Sequence, residues 1–206
     1  MKTFQVNEIF YSLQGEGIRA GTANVFIRFT GCNLRCSVEP GPLSPGGFDC
    51  DTEFMSGRKM DQGDIVREAL KCSNGGTDVG IVFTGGEPGL QVTPELVQAL
   101  KAYFNPVCIE TNGTVNVDKL HLDWITVSPK VAEHAIEQII ASEVKYVRGY
   151  GQGIPKPVIQ AGFYLISPAF DGGLVQHRTM EWCVALVRDN PKWRLSVQQH
   201  KLWNVR

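Results

Sequence analysis

The 206-residue chain has only four histidines, a formal net charge of −1 and no apolar run near the ~20 residues of a membrane span. Near-neutrality argues against a broad polyanion-binding surface, so no nucleic-acid partner is expected. The missing apolar run argues against a membrane helix. The opening Met-Lys-Thr-Phe-Gln-Val-Asn-Glu has no signal core, so the expected address is the cytoplasm. Repeats and low-complexity segments are absent as well. In a reducing compartment the six cysteines are thiols or metal ligands rather than disulfides. A hydrophobic fraction of 43% suits a single domain, residues 1–206, whose core needs no staples.

What the chain does have is a cysteine loop. Cys32, Cys36 and Cys50 lie in Gly31-Cys-Asn-Leu-Arg-Cys36 … Phe48-Asp-Cys50-Asp-Thr52, just after the predicted strand Asn24–Phe29. Cys108 and Cys183 sit in apolar runs and read as small buried hydrophobes, and Cys72, which closes a predicted helix, is open to the same structural reading. Three thiolates, rather than four, suit an iron–sulfur cluster with one iron left open to a substrate or cofactor. The plainer alternative is a zinc knot with a histidine as fourth ligand, but no histidine lies within seventy residues of Cys50.

Short β-branched runs alternate with helical segments. Strands are predicted at 24–29, 80–83, 107–109, 124–127, 144–147, 163–166 and 194–197. Helices are predicted from Asp61 to Leu70, Thr93 to about Phe104, Ala132 to Ala141 and about Gln176 to Asp189. Asp61 should cap the first, and Pro94 fits the first position of the second. This βαβα order favours a parallel sheet with crossover helices. Each strand then runs into a polar motif: Cys32, Thr84-Gly-Gly-Glu-Pro88, Glu110-Thr-Asn-Gly113, Ser128-Pro-Lys130, Ser167-Pro168 and Gln198-Gln-His200. Such motifs collect at the C-terminal edge of the sheet, where α/β enzymes place their sites. A complete eight-unit barrel needs ~250 residues, so the expected fold is α/β, a shortened, open (β/α) barrel. Gly149 to Pro157 reads as one loop.

The cysteine loop after one strand and Thr84-Gly-Gly-Glu-Pro88 after the next resemble the radical S-adenosylmethionine (SAM) superfamily. Within it, Ser12-Leu-Gln-Gly-Glu-Gly17, Cys50-Asp-Thr52 and the short length look like the 7-carboxy-7-deazaguanine synthases of the queuosine pathway. The resemblance runs along essentially the whole chain. One departure is the spacing. The superfamily's usual motif is Cys-x3-Cys-x2-Cys, whereas here it is Cys-x3-Cys-x13-Cys. Some members have Cys-x14-Cys-x2-Cys, which matches Cys32 to Cys50 but would put the middle ligand at Gly47. Cys36 is then the local candidate, with the Pro/Gly-rich insert looped out at a closure cost of roughly 1.5–2 kcal/mol.

The resemblance implies a barrel of the radical SAM type, with a cluster loop at 30–53 and a C-terminal capping segment at about 198–206. It implies a [4Fe–4S] cluster on Cys32, Cys36 and Cys50, SAM on the open iron, and Mg2+ on Thr52. SAM would also contact Gly85, Gly86, Glu87, Asn112, Ser128, Pro129, Lys130 and the segment Ser167, Pro168, Ala169, Phe170 and Asp171. SAM carries the radical, so no catalytic side chain is expected. The implied reaction converts 6-carboxy-5,6,7,8-tetrahydropterin to 7-carboxy-7-deazaguanine with loss of ammonia. Substrate contacts fall on Leu13, Gln14, Gly15, Glu16, Arg28 and Thr84, with His200 and the terminal carboxylate of Arg206 closing the pocket. An electron donor such as flavodoxin and a homodimer are also implied.

Arg28 alternates with Val25, Ile27 and Phe29, so it points from the strand's other face beside Phe26, and its planar fork suits a carboxylate. A structural salt bridge is the plainer alternative there. Asn112 is also a common Asn-Gly turn, and His121, His134 and His177 read as solvated. Two other functions remain open: a small radical SAM activase acting on a protein partner, and a metal-stabilised binding module without turnover.

Overall fold

A computed structural model describes residues 2–37, 50, 52–76, 78–170 and 175–206. The insert at 38–49, Asp51 and the candidate SAM contact Asp171 lie outside the described residues. Nine strands form one sheet: β1 (Thr3–Leu13), β2 (Ala23–Phe29), β3 (Arg58–Asp61), β4 (Gly80–Gly85), β5 (Val107–Thr111), β6 (Trp124–Val127), β7 (Ile140–Arg148), β8 (Gln160–Pro168) and β9 (Trp193–Leu195). Among the described residues four α-helices accompany them: α1 (Gln62–Cys72), α2 (Pro94–Lys101), α3 (His177–Asp189) and α4 (Gln199–Trp203). The strand order is β3-β1-β2-β4-β5-β6-β7-β8-β9. From β2 to β9 every neighbouring pair is parallel, while β1 runs antiparallel to both β2 and β3.

Alternation along the strands sorts the side chains into two faces. Val25, Ile27, Phe29, Ile81, Phe83, Val107 and Ile109 point outward into a core with Ile65 and Ala69 of α1 and Leu96, Val97 and Leu100 of α2. Val144, Tyr146 and Ile166 join Cys183 of α3 and Trp193 in a second core. The helices start where their caps dictate. Asp61 and Asp64 form a reciprocal capping box at α1, and Thr93 accepts from the Leu96 N–H ahead of Pro94 in α2.

Four elements differ from the sequence reading. The predicted helix 132–141 is a short 3-10 turn, Glu133–Ala135, followed by the start of β7. Gln138 explains the change: its side chain is fully buried, accepting from Val117 N at 2.7 Å and donating to the Ile140 carbonyl at 2.6 Å. That anchor holds the segment extended. The strand β1, not anticipated, pairs with β2 through a register shift between Val6 and Glu8. The shift reverses the inward–outward parity, so Phe4 and Val6 share the outer core with Ile9. Strand β3 and helix α4 were not anticipated either.

The two ends of the sheet, β3 and β9, do not pair, and the loop after β1 bridges the gap instead. The Gly17 N–H donates to Ser196 Oγ at 2.9 Å, the Ile18 N–H to Glu143 Oε2 at 2.9 Å, and the Gln199 N–H to the Gly15 carbonyl at 2.8 Å. Gly17 has φ +72°, and a Cβ there would lie 2.2 Å from Glu143 Oε1. Gly21, with φ +87°, has nothing within 4 Å of its Cβ position. Gly21→Ala should therefore cost only backbone strain, about 1–2 kcal/mol. Gly17→Ala should cost clearly more in thermal or denaturant unfolding, and equal losses would show that the bridge does not hold the fold.

Candidate active site at the C-terminal edge of the sheet

Cys32 follows β2 directly. The loop is tied to its neighbours by backbone: Gly31 N–H donates to the Phe54 carbonyl at 2.9 Å, Gly86 N–H to Phe29 at 3.1 Å, and Glu87 N–H to Gly31 at 2.9 Å. A Cβ on Gly86 would sit 2.0 Å from the Gly31 oxygen, and Gly85 has φ +113° against Phe29. Close approach does require these glycines, but the partner on that side is the cysteine loop's own backbone rather than a ligand. Glu87 is fully buried, accepting from Thr111 Oγ1 at 2.8 Å, Gly89 N at 2.9 Å and Asn112 N at 2.8 Å. Burial raises its pKa against the pull of these donors. Its carboxylate thus faces inward and fixes the loop.

Cys36 and Cys50 are brought together across the undescribed insert by the Cys50 N–H, which donates to the Cys36 carbonyl at 3.3 Å. All three thiols are free, and each of Cys32 and Cys36 feels the charge of Cys50. Burial raises both the Cys32 and Cys36 thiols, while Lys130 acts the other way on Cys36 and so lies close to it. Asn112 Nδ2 donates to Asn33 Oδ1 at 3.2 Å and lies 3.8 Å from Cys32 Sγ, so the Asn-Gly turn also braces the cysteine loop. Among the described residues no group of three His, Cys, Asp or Glu side chains is drawn together as a single ion would require. Thiolates on a four-iron cube each bind a different iron, whereas zinc gathers its ligands at ~2.3 Å around one centre. Three soft donors, with no histidine within seventy residues of Cys50 in the sequence, fit the cube.

Ser128, Pro129 and Lys130 follow β6, and Ser167 and Pro168 end β8, with Ser128 N–H donating to Thr111 at 2.8 Å and Ala169 N–H to Arg148 at 2.9 Å. Phe170 lies under Lys201 Nζ, 4.1 Å from its ring centre. Thr52 follows Cys50, whose thiol lies 3.6 Å from the Thr52 carbonyl. These candidates share the edge of the sheet that the sequence predicted.

Below them lies the lumen, built in layers by register. Phe26, Val82, Cys108 and Trp124 form an apolar floor with Phe10. Two residues further along each strand the inward positions are Arg28, Thr84, Glu110 and Thr126, joined by Glu143 and Lys145 of β7. The floor is greasy; the layer above it is charged. Sequence reasoning missed Glu143 and Lys145, although both alternate with the outward Val144 and Tyr146 in a strand buried on both faces, which is the signal for inward charge.

The bridging loop supplies more of this layer. Glu16 pairs with Lys145 and accepts from Gln198 Nε2 at 3.0 Å. Gln14 Nε2 donates to Glu110 Oε1 at 2.7 Å, and Gln14 Oε1 accepts from Glu16 N. His200 packs on Gly15, where a Cβ would meet its Nδ1 at 2.2 Å. Leu13 is exposed. Burial alone would raise Glu16, but Lys145 and Gln198 overturn that and hold its carboxyl below the ordinary value. Glu110 is raised by burial, more weakly opposed by Lys145 and reinforced by Glu16. Lys145 is pushed down by burial, yet Glu16, Glu110 and Glu143 more than reverse this and keep it cationic.

Arg28 is not free. Its Nη1 pairs with Glu8 Oε1 at 2.9 Å and its guanidinium lies over the Phe10 ring at 5.5 Å. The salt bridge weighed as the plainer alternative is therefore present, but Arg28 Nε is buried without a partner. Arg206 reaches the other Glu8 oxygen, Nη2 to Oε2 at 2.7 Å, and its backbone oxygen accepts from Ser12 Oγ at 2.7 Å.

A seven-strand parallel run capped by a three-cysteine loop over a polar lumen is the architecture of a radical SAM enzyme. The crystal structure of QueE from Escherichia coli shares this fold, with a TM-score of 0.68 at 24% identity, covering 96% of this chain and 95% of that one. No protein-family model matches the chain. Proteins named 7-carboxy-7-deazaguanine synthase are 38% identical in Bacteroides thetaiotaomicron (98% of both chains) and 38% identical in Nitratidesulfovibrio vulgaris (98% of this chain, 99% of that one). One from Caulobacter vibrioides is 36% identical over 97% of each. The chain belongs to the 7-carboxy-7-deazaguanine synthase family.

Lys145 is an ammonium facing Glu16, Glu110 and Glu143, so Lys145→Met should destabilise the fold by about 3–5 kcal/mol. Glu16 sits below its unfolded value, so its contribution is in place above about pH 4.3 and fades as pH falls through the folded value. In the Met variant the buried carboxylates lack this ammonium and take up protons as the pH falls, so its deficit should be larger at pH 8 than at pH 4.5 in urea unfolding. A pH-independent deficit would mean that packing, not charge, is what Lys145 supplies.

Proposed function

We propose that this chain is a radical SAM lyase that converts 6-carboxy-5,6,7,8-tetrahydropterin to 7-carboxy-7-deazaguanine with loss of ammonia. What carries the reading is the charged lumen layer lying directly beneath the three-cysteine loop, in a chain of this family. Held by Cys32, Cys36 and Cys50, a [4Fe–4S] cluster with SAM would supply the one-electron chemistry that makes a carbon-centred hydrogen abstractor. The protein's own residues then bind, orient and shield. Ser128 to Lys130, Ser167 to Phe170, Gly85 and Gly86 line the edge where SAM would lie, with Asn112 bracing the loop. Arg28 offers the substrate carboxylate a guanidinium whose Nε has no other partner. Thr84 is its neighbour on β4. Gln14, Glu16 and His200 bound the opposite side, and the segment 198–206 caps the lumen. Water exclusion matters because a carbon radical must be kept from side reactions.

We assign Mg2+ to Thr52, where a hydroxyl leaves room for waters and substrate oxygens. The resemblance adds a donor such as flavodoxin, a homodimer and a cytoplasmic setting. Free thiols at all six cysteines fit that setting. Among the described residues no helix is long and apolar enough to cross a membrane.

Anaerobic reconstitution should give about four iron and four sulfide per chain. Reduction should then cleave SAM, and adding the carboxypterin with Mg2+ should yield a product lighter by ammonia in mass spectrometry. A colourless protein holding zinc would sink the proposal. Cys36→Ala should lose the cluster, and normal iron content in that variant would remove Cys36 from the ligand set. Arg28→Ala should weaken substrate binding by about 2–5 kcal/mol; unchanged affinity would take Arg28 out of the pocket.

A further inference from the structure

On the lumen face of β1 and β2, Glu8 holds two arginines at once. Arg28 Nη1 lies 2.9 Å from Oε1 and Arg206 Nη2 lies 2.7 Å from Oε2. Both guanidinium centres stack on one ring, 5.5 Å and 5.1 Å from the centroid of Phe10. The strand register explains the meeting: Glu8 pairs with Arg28 and Phe10 with Phe26 on one face, while Ser12 Oγ, further along that face, holds the Arg206 backbone. Two guanidinium groups thus share the single Glu8 carboxylate. Arg28 Nε is buried and unpartnered, and buried donors ordinarily find an acceptor.

We propose that Glu8 is a positioning residue that fixes Arg28 and the side chain of Arg206 as a two-arginine clamp for a single carboxylate of the substrate. The inference rests on the pterin reading and deepens it, because it assigns carboxylate selectivity to the Glu8-bridged pair rather than to Arg28 alone. It also gives Arg206 a role through its guanidinium, where the sequence pointed to its terminal carboxylate. Arg28 has an aromatic shelf and a bridging acid to hold its plane. Arg206 is the more exposed member and gains its geometry from Glu8 and Ser12.

The test uses reconstituted holoenzyme and compares affinity for the 6-carboxy pterin with that for its 6-carboxamide analogue. Wild type should favour the carboxylate. Arg206→Gln should reduce that preference roughly tenfold, and Arg206→Lys, which keeps the charge without the fork, should restore only part of it. Glu8→Gln should reduce the preference as well, and the double variant should be no worse than Glu8→Gln alone, because both changes dismantle one clamp. Additive losses, an unchanged ratio, or a tighter carboxylate preference in Glu8→Gln would each overturn the proposal; the last would make Glu8 a competitor of the substrate. A variant that merely loosens the barrel lowers both affinities and leaves the ratio unchanged, which also counts against it. Wild type that turns over neither pterin would sink the functional reading instead, so the two failures are told apart.

Discussion

An open sheet has to be shut by something other than strand pairing, and here the fastening is a buried ion pair. Glu16 arrives on the loop between β1 and β2, and Lys145 stands on β7 across the lumen. Taking either charge out of water alone would be costly; together, with Gln198 on the free Glu16 oxygen, they are satisfied. The backbone of the same loop is held by Ser196 and Glu143. Closure and site construction are therefore one event. The side chains that seal the lumen are the ones that give it its polarity, and neither can be altered without the other.

The upper edge follows a parallel logic through Glu87. Its carboxylate takes a hydroxyl from β5, the backbone of Asn112 and the backbone of Gly89, while its own N–H reaches Gly31. One side chain thus sets the loop after β4 against the loops after β2 and β5. Asn112, placed by Glu87, then contacts Asn33 beside Cys32. The orientation of the first cysteine is fixed by a chain of hydrogen bonds that begins inside the protein, with no need for a ligand to impose it.

Much of this was legible because strand ends carry their chemistry locally. Cys32, Gly85, Asn112, Ser128 and Ser167 each follow an apolar run, and a parallel sheet must gather such ends on one edge. What could not be read has definite causes. The bulge at Asn7 breaks the alternation of β1, so Phe4, Val6 and Ile9 do not show one period. The stretch before β7 has helical composition, but Gln138 is committed to three hydrogen bonds with Val117, Asp118 and Ile140 that a helix would break. Glu8 went unnoticed because its meaning depends on Arg28 and Arg206, some twenty and two hundred residues away. Long-range pairs of this kind exist only once the register is known.

That register also polarises the lumen. Toward β7, three carboxylates share the ammonium of Lys145; toward β1, two guanidinium groups share the carboxylate of Glu8. One wall is therefore rich in carboxylate acceptors and the other in guanidinium donors, with Thr84 of β4 beside Arg28. A flat molecule with N–H donors at one end and a carboxylate at the other is complementary to this gradient in a single orientation, and the reversed pose would set like charges together. On the proposed reading, a bicyclic pterin bearing a 6-carboxylate has those two ends. The apolar floor beneath, from Phe10 to Trp124, contributes no competing polar group. On that reading, orientation is decided by the distribution of charge across the layer, before any reactive group approaches from the cysteine loop above.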